Sequence, residues 1–272
     1  MLWLLRLIGA MLGRTAFYAG VRTAVTLDNL RHGYPNLTER ARRRIAARSY
    51  SALGQIFFEF AHLRYASARE IKDGLTINNL DDVRHLIGDP NGAILLSAHL
   101  GNWEWLALGV GLQVKSLNVI TKAQRSSVTE RFLLAMRTRF GNRMIDAGDV
   151  RRIYRVLRSG ELVAILGDQG ADPDSVRVKF FGRTVPTFEG AARLALRTRA
   201  PILFLQVLKR TDQGYLCTFH HVPYDDLRDA SDDNVRILTE RHTAMLEQII
   251  REKPELWLWQ HRRWKNATEQ SN

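Results

Sequence analysis

From about residue 75 onward, short apolar runs alternate with stretches of helical periodicity, and this constrains the fold more than any other feature of the chain. The apolar runs are Ala93–Ala98, Leu117–Thr121, Leu162–Leu166, Ile202–Lys209 and Tyr215–Val222. Between and after them, helical spacing marks Trp103–Leu112, Val128–Phe140, Val150–Leu157, Glu189–Thr198 and Asn234–Lys253. The last of these carries Leu238, Met245, Leu246, Ile249 and Ile250 on one face and stops at Pro254, which cannot continue a helix. Such alternation predicts an α/β fold with a mostly parallel central sheet and flanking helices, in which the last strands can pair antiparallel.

The first seventy residues have a different texture. Residues 37–63 read as one long helix, with Ile45, Leu53, Ile56, Phe57 and Phe60 at helical spacing and start signals at Thr38-Glu39. Arg40, Arg42, Arg43, Arg44 and Arg48 crowd its first half, as a solvated face or as a contact for acidic lipid or an acidic carrier protein. The N-terminal stretch MLWLLRLIGAMLGRTAFYAG is apolar but broken by Arg6 and Arg14. A spanning helix wants about 20 mainly apolar residues, and no basic region precedes this one as in a signal peptide. The expectation is a membrane-surface anchor with Trp3 and the arginines at the interface, the alternative being a first helix docked on the domain. The chain therefore divides into an N-terminal membrane-associated helical region (1–70), an α/β core (71–265) and a polar tail (266–272).

Charge narrows the choice of partner. Forty Lys and Arg against twenty-eight Asp and Glu leave +12 on 272 residues, which calls for an anionic partner without saying which. The single cysteine, Cys217, excludes an intramolecular disulfide and a cysteine-based zinc site, and its alternating surroundings make it a packed strand residue.

The chemistry gathers where the first apolar run ends, in AILLSAHLGNWEW (Ala93–Trp105). His99 and Glu104 lie five positions apart, about 140° apart on a continuous helix, so there they would not meet. They meet if His99 sits on a turn and Glu104 in the first turn of the following helix. Gly101 permits that turn and Asn102 is a plausible N-cap. A carboxylate held ionised by the helix dipole can keep one imidazole nitrogen as N–H and leave the other to accept a proton. The alternative is a His and a Glu that only bond to backbone around the helix start. Zinc is poorly served, with two ligands at most and no H-E-x-x-H helix. Ser97 lacks the G-x-S-x-G elbow of a nucleophile. The abstracted proton must then come from a hydroxyl or amine of the substrate.

HLGNWE resembles the histidine–four residues–acid motif of the glycerolipid acyltransferase superfamily. Its glutamate and Gly-Asn-Trp resemble the lipid A biosynthesis late acyltransferases, the lauroyl and myristoyl transferase branch. ILGDQG (Ile165–Gly170), the phenylalanine-glycine segment and helix within Val178–Leu203, and PELWLWQHRRWK (Pro254–Lys265) resemble further segments of that family in the same order. The similarity runs from roughly residue 20 to 265. It implies a glycerolipid acyltransferase-like fold and transfer of a fatty acyl chain from acyl carrier protein to a hydroxyl of a lipid A precursor. This would take place at the cytoplasmic face of the inner membrane, with no metal or redox cofactor. His99 would be the base and Glu104 its orienting acid. Asn102, Arg137 (with Arg139 as competitor), Asp168 and Gln169 would be substrate-binding residues.

The partners implied are an acyl carrier protein thioester, an anionic lipid acceptor and a membrane surface, with no nucleic acid. Lys122-Ala123-Gln124-Arg125 departs from an Arg-Pro pair common in the family, so ornithine lipids, glycolipids and polyene-type lipids remain open as acceptors. Trp257, Trp259 and Trp264, set among His261, Arg262, Arg263 and Lys265, read as an amphipathic edge near the bilayer, or for Trp257 and Trp259 as core. Two competing readings are a lysophospholipid acyltransferase, against which Glu104 and Gly-Asn-Trp argue, and a basic membrane- or nucleic-acid-binding protein, for which no recognition signature appears.

Overall fold

A computed structural model describes residues 2–122, 126–210 and 214–267. Its nine strands are β1 (Leu75–Ile77), β2 (Ala93–Ser97), β3 (Leu117–Thr121), β4 (Arg143–Asp146), β5 (Leu162–Leu166), β6 (Arg177–Phe180), β7 (Arg183–Pro186), β8 (Ile202–Lys209) and β9 (Tyr215–Val222). Seven of them form one sheet in the order β1-β9-β8-β2-β5-β3-β4. Every neighbouring pair is parallel except β8 and β9. All five runs read as strands from sequence lie in this sheet. The strands missed, β1 and β4, are its edges and only three and four residues long, too short to show a period.

Helices cover both faces: α1 (Leu2–Tyr18), α2 (Thr23–Gly33), α3 (Glu39–Leu63), α4 (Ala68–Asp73), α5 (Leu80–Ile87), α6 (Trp103–Gln113), α7 (Ser127–Arg137), α8 (Val150–Arg158), α9 (Gly190–Thr198) and α10 (Asp232–Glu252). Central strand β2 is buried throughout and serves both sides by its alternation. Ile94 and Leu96 join a core with α8, α9, α10 and Trp257, Trp259 and Trp264. Ala93 and Leu95 join a second core with α4, α5 and α6. Helix α3 starts at the expected cap, where Thr38 Oγ1 accepts the Ala41 N–H at 3.2 Å. It contributes Ala46 and Tyr50 to the first core and Ile56, Phe60 and Leu63 to the second, so both cores draw on residues from either side of residue 70.

The phenylalanine-glycine segment is a tight hairpin. β6 and β7 pair antiparallel across Phe181 and Gly182, both at positive φ (51° and 76°), as a two-residue turn between right-twisted strands requires. Phe181 holds that conformation without being glycine because its ring packs edge-on against Tyr34 and Trp259 and under the Arg251 guanidinium at 4.5 Å. Trp257 and Trp259 take the core alternative, and Trp264, read as part of an amphipathic edge, is interior too: all three are buried, in a cluster with Phe180 and Phe181.

α1 lies along α3, and α1 and α2 bend by 88° at their junction. Among the described residues no single helix is long and apolar enough to cross a membrane, although α1 and α2 pass that test as a bent pair. α1 buries Phe17 in the core but turns other apolar side chains outward, with Trp3 59%, Met11 54% and Tyr18 70% exposed, and it turns Arg6 inward. Residues 123–125, within the stretch that departs from the family pattern, and residues 268–272 of the expected tail lie outside the described residues.

The α1–α3 contact is backbone against backbone. A Cβ on Gly54 would lie 2.0 Å from the Gly9 carbonyl oxygen, and one on Gly13 2.0 Å from that of Tyr50. Gly54→Val is therefore expected to push the helices apart and destabilise the fold by about 1–3 kcal/mol, the usual cost of overpacking. Hydrogen exchange along residues 2–18, read with the unfolding midpoint, checks this; unchanged protection of α1 would mean that the glycine contact does not hold it.

Candidate active site

Two adjacent strands build the centre of the site. β2 and β5 run parallel with Ser97 opposite Leu166, and the Gly167 N–H extends the ladder to the Ser97 carbonyl at 3.1 Å. His99 and Asp168 each stand two residues beyond this last pair, at the carboxyl edge of the sheet, where ligands bind in open α/β folds. Equal overhang from paired strands brings them together, and His99 Nδ1 lies 2.8 Å from Asp168 Oδ1. The other oxygen, Asp168 Oδ2, accepts the Trp257 indole N–H at 2.9 Å. Asp168 is buried with both oxygens engaged, while the His99 side chain keeps 19% exposure. With Asp168 accepting the Nδ1 proton, His99 Nε2 is left as the acceptor.

The turn carrying His99 is held by the segment after α10. The Leu258 N–H donates to the His99 carbonyl and the Gly101 N–H to the Leu256 carbonyl, both at 3.0 Å. Gly101 has φ 58°, and a Cβ there would lie 2.8 Å from the Val207 carbonyl oxygen, so conformation and space both demand glycine. Asn102 caps α6 through Oδ1, which accepts the Trp105 N–H at 2.8 Å.

Glu104 does sit in the first turn of α6 and is buried. Its hydrogen-bond partner is not His99, however, but the Arg137 guanidinium at the end of α7. Arg137 Nε lies 2.9 and 3.1 Å from the two carboxylate oxygens, and Nη2 also bonds Oε1. The expected His99–Glu104 contact is corrected on this point: the acid bonded to the imidazole is Asp168. A first-turn side chain on α6 projects toward the neighbouring helix, whereas the equivalent edge position of β5 faces the histidine directly. Gln169 Nε2 lies 3.3 Å from His99 Nε2.

Two other expected substrate contacts lie elsewhere. Arg139 Nη1 donates to the Leu63 and Ala66 carbonyls, both at 2.9 Å, capping the end of α3. Asn102 is fully buried, with Nδ2 on Glu59 Oε2 at 2.6 Å. Neither lines the cavity beside His99. Cys217 is wholly buried in β9, and burial pushes its thiol up to about 12. Ser97 donates its hydroxyl to the Leu205 carbonyl at 2.8 Å.

That cavity has a volume of ≈ 440 Å³. His99, Glu104, Lys122, Arg137 and Gln169 form part of its polar lining. Leu95, Leu117, Val119, Ala164 and Leu205 from the sheet, with Leu106 from α6, form much of the apolar part. The arrangement sets a proton acceptor, His99 Nε2, in a cavity lined by charged, polar and hydrocarbon side chains. Trp257 is the participant that sequence reasoning missed, since its motif pointed to packing or an interface. Arg263 stands close behind: its guanidinium is buried and donates to the Pro186 carbonyl and the Thr187 hydroxyl at 2.9 and 2.7 Å. Burial pushes its pKa down to about 10 against the opposing charge of Asp168.

The model of one family, Bacterial lipid A biosynthesis acyltransferase, matches residues 3–266. The chain is 22% identical over 266 residues to the lipid A biosynthesis lauroyltransferase of Escherichia coli (strain K12), covering 96% of this chain and 85% of that protein. It is also 22% identical over 251 residues to the lipid A biosynthesis palmitoleoyltransferase of the same organism, covering 90% and 79% respectively. The same identity and coverage hold for a lipid A biosynthesis acyltransferase of Shigella flexneri.

The charges of the pair reinforce one another. Burial by itself favours neutral imidazole, but the charge and hydrogen bond of Asp168, helped by the charge of Glu104, outweigh it and raise the His99 pKa above 6.5. Burial also penalises the Asp168 carboxylate, and the charge and hydrogen bond of His99 with the Trp257 N–H outweigh that, lowering it below 3.8. The histidine's contribution to stability is complete below 6.5 and is lost as pH rises through its raised value. The aspartate's is present above 3.8 and is lost as pH falls through its lowered value. Asp168→Asn removes the anion, so the His99 pKa is expected to fall below its wild-type value. Titration of the His99 ring by NMR in both proteins checks this, and an unmoved midpoint would mean that Asp168 is not the group that sets it.

Proposed function

Because the chain belongs to the bacterial lipid A biosynthesis acyltransferase family, we propose that it transfers a fatty acyl chain from an acyl carrier protein thioester to a hydroxyl of a lipid A precursor or a related envelope lipid. The observation that carries this reading is the His99–Asp168 pair set beside a cavity lined by both charged and hydrocarbon side chains. His99 Nε2 takes the proton of the acceptor hydroxyl as its oxygen attacks the thioester carbonyl. The tetrahedral intermediate collapses, the carbon–sulfur bond breaks, and the proton on His99 passes to the departing thiolate. Asp168 keeps the Nδ1 proton in place and stabilises the imidazolium formed on the way. Sequence reasoning assigned this orienting part to Glu104; the distances support Asp168 for it and support Glu104 as the residue that steadies Arg137.

Gln169, whose Nε2 lies 3.3 Å from His99 Nε2, is our candidate donor to the oxyanion. Arg137 and Lys122 line the same cavity and suit a phosphorylated acceptor. The acyl chain fits the space lined by Leu95, Leu106, Leu117 and Leu205. The outward apolar face of α1 supports work at a membrane surface, in keeping with a site at the cytoplasmic face of the inner membrane.

The direct test supplies labelled acyl carrier protein thioester with a lipid acceptor and follows label into the lipid. His99→Ala is expected to lower turnover by roughly 10²–10⁴-fold; turnover equal to wild type would defeat the mechanism. Mass spectrometry of envelope lipids with and without the protein should show a gain of one acyl chain on the acceptor. Ala164, half-buried in the cavity wall, offers a test of the acyl site. Ala164→Leu is expected to shift preference toward shorter donors, with discrimination of about fourfold per methylene excluded, from about 0.8 kcal/mol each. An unchanged preference across donor lengths would place the chain elsewhere.

A further inference from the structure

Glu59 lies near the C-terminal end of α3 and is completely buried, and three donors from three other parts of the fold converge on it. Arg6 of α1 bonds Oε1 through Nε. Asn102, beside the catalytic turn, bonds Oε2 at 2.6 Å, and the Tyr215 hydroxyl of β9 bonds the same oxygen. The Arg6 guanidinium also lies over the Tyr215 ring at 5.9 Å. Burial, with the charge of Glu59 and the hydrogen bond to it, raises the Tyr215 pKa well above its usual value and keeps the phenol a donor. A buried ion pair contributes little to stability compared with apolar packing of the same volume, and its best-attested use is to fix one arrangement among several.

What Glu59 fixes is visible from Asn102. This side chain is used from both ends: Oδ1 caps α6 on the Trp105 N–H, and Nδ2 is held by Glu59. Asn102 stands three residues after His99, separated from it by Leu100 and the positive-φ Gly101. Holding Asn102 on one side, with Leu258 holding the His99 carbonyl on the other, fixes the peptide that aims the imidazole. The second ligand of Glu59, Arg6, belongs to the helix whose opposite face exposes Trp3, Leu7 and Met11. The seating of α1 and the setting of the catalytic turn therefore share one carboxylate.

We infer that Glu59 is a positioning residue for His99, which it holds through Asn102, and that Arg6 makes this hold depend on α1 being seated against α3. The inference rests on the reading of His99 as the base. Neither Glu59 nor Arg6 lines the cavity, so neither touches substrate.

Loss of Glu59 alone removes the carboxylate that the buried Arg6 guanidinium bonds and threatens folding, so the first variant is Asn102→Ser. Serine caps a helix well but is too short to reach Glu59. The second is the paired Arg6→Met, Glu59→Gln, which removes both charges together. The readouts are kcat and KM for the lipid acceptor and hydrogen exchange of the Trp105 amide. In both variants kcat is expected to fall roughly 10–100-fold, as for a small misplacement of a reacting group, with KM little changed. Trp105 protection is expected to drop while the global unfolding midpoint is kept within a few degrees. Unchanged kcat in Asn102→Ser overturns the positioning role. A loss in Asn102→Ser but not in the paired variant overturns the dependence on α1. A rise in KM in place of the fall in kcat also overturns it, since that marks a binding defect. Activity persisting in His99→Ala would defeat the reading beneath, while the Trp105 exchange result would still decide whether Glu59 holds the turn.

Discussion

The register between β2 and β5 is the constraint on which the rest depends. Ser97 opposite Leu166 sets the next residues of both strands at the same height above the sheet. His99 and Asp168 owe their 2.8 Å separation to that pairing and to neither segment alone. A slip of one residue would turn each strand's side chains to the opposite face and separate imidazole from carboxylate. Such a slip is blocked by the burial of β2, which inserts Ile94 and Leu96 into one core and Leu95 into the other. The precision of the site is thus drawn from the packing of the sheet's most central strand.

Around this pair the molecule adds restraints from distant parts of the chain. The segment after α10 supplies the Trp257 indole to Asp168 and a backbone N–H to His99. That segment is itself held from the N-terminal helices: the Asn29 amide donates to the Trp259 carbonyl at 2.7 Å, and the Ser49 hydroxyl to the Trp257 carbonyl at 3.1 Å. Glu59 reaches the same turn from the other side. The helices before residue 70 are therefore integral to the geometry of the site, and they also expose apolar side chains such as Trp3 and Met11.

Much of this was legible in sequence, and what was not has a physical reason. The sheet strands of five or more residues announced themselves by length and composition, and α3 by its period and its Thr38 cap. His99 stood out because it follows a buried run and precedes a glycine and an N-cap. Its partner was harder. Glu104 is near in sequence and Asp168 is sixty-nine residues away, so local reasoning favours the former; only strand order, which no local pattern encodes, favours the latter. Asn102 drew notice as a polar residue within the motif and Arg139 as the competitor of Arg137, yet both are consumed by backbone and buried contacts. The tryptophans near residue 260 were ambiguous for a related reason: aromatic residues mixed with cations describe an interface and a capped core equally well. Glu59 gave no signal at all, since a lone acid on an amphipathic helix looks like a solvated one.

The order in which the chain is made bears on the clamp formed by Leu256, Trp257 and Leu258. Both His99 and Asp168 emerge from the ribosome well before the indole and amide that hold them. Until that segment is in place, Asp168 Oδ2 lacks its indole donor and the His99 carbonyl lacks its amide partner. The two strands alone therefore cannot complete the arrangement, whose last hydrogen bonds come from the closing tryptophan segment.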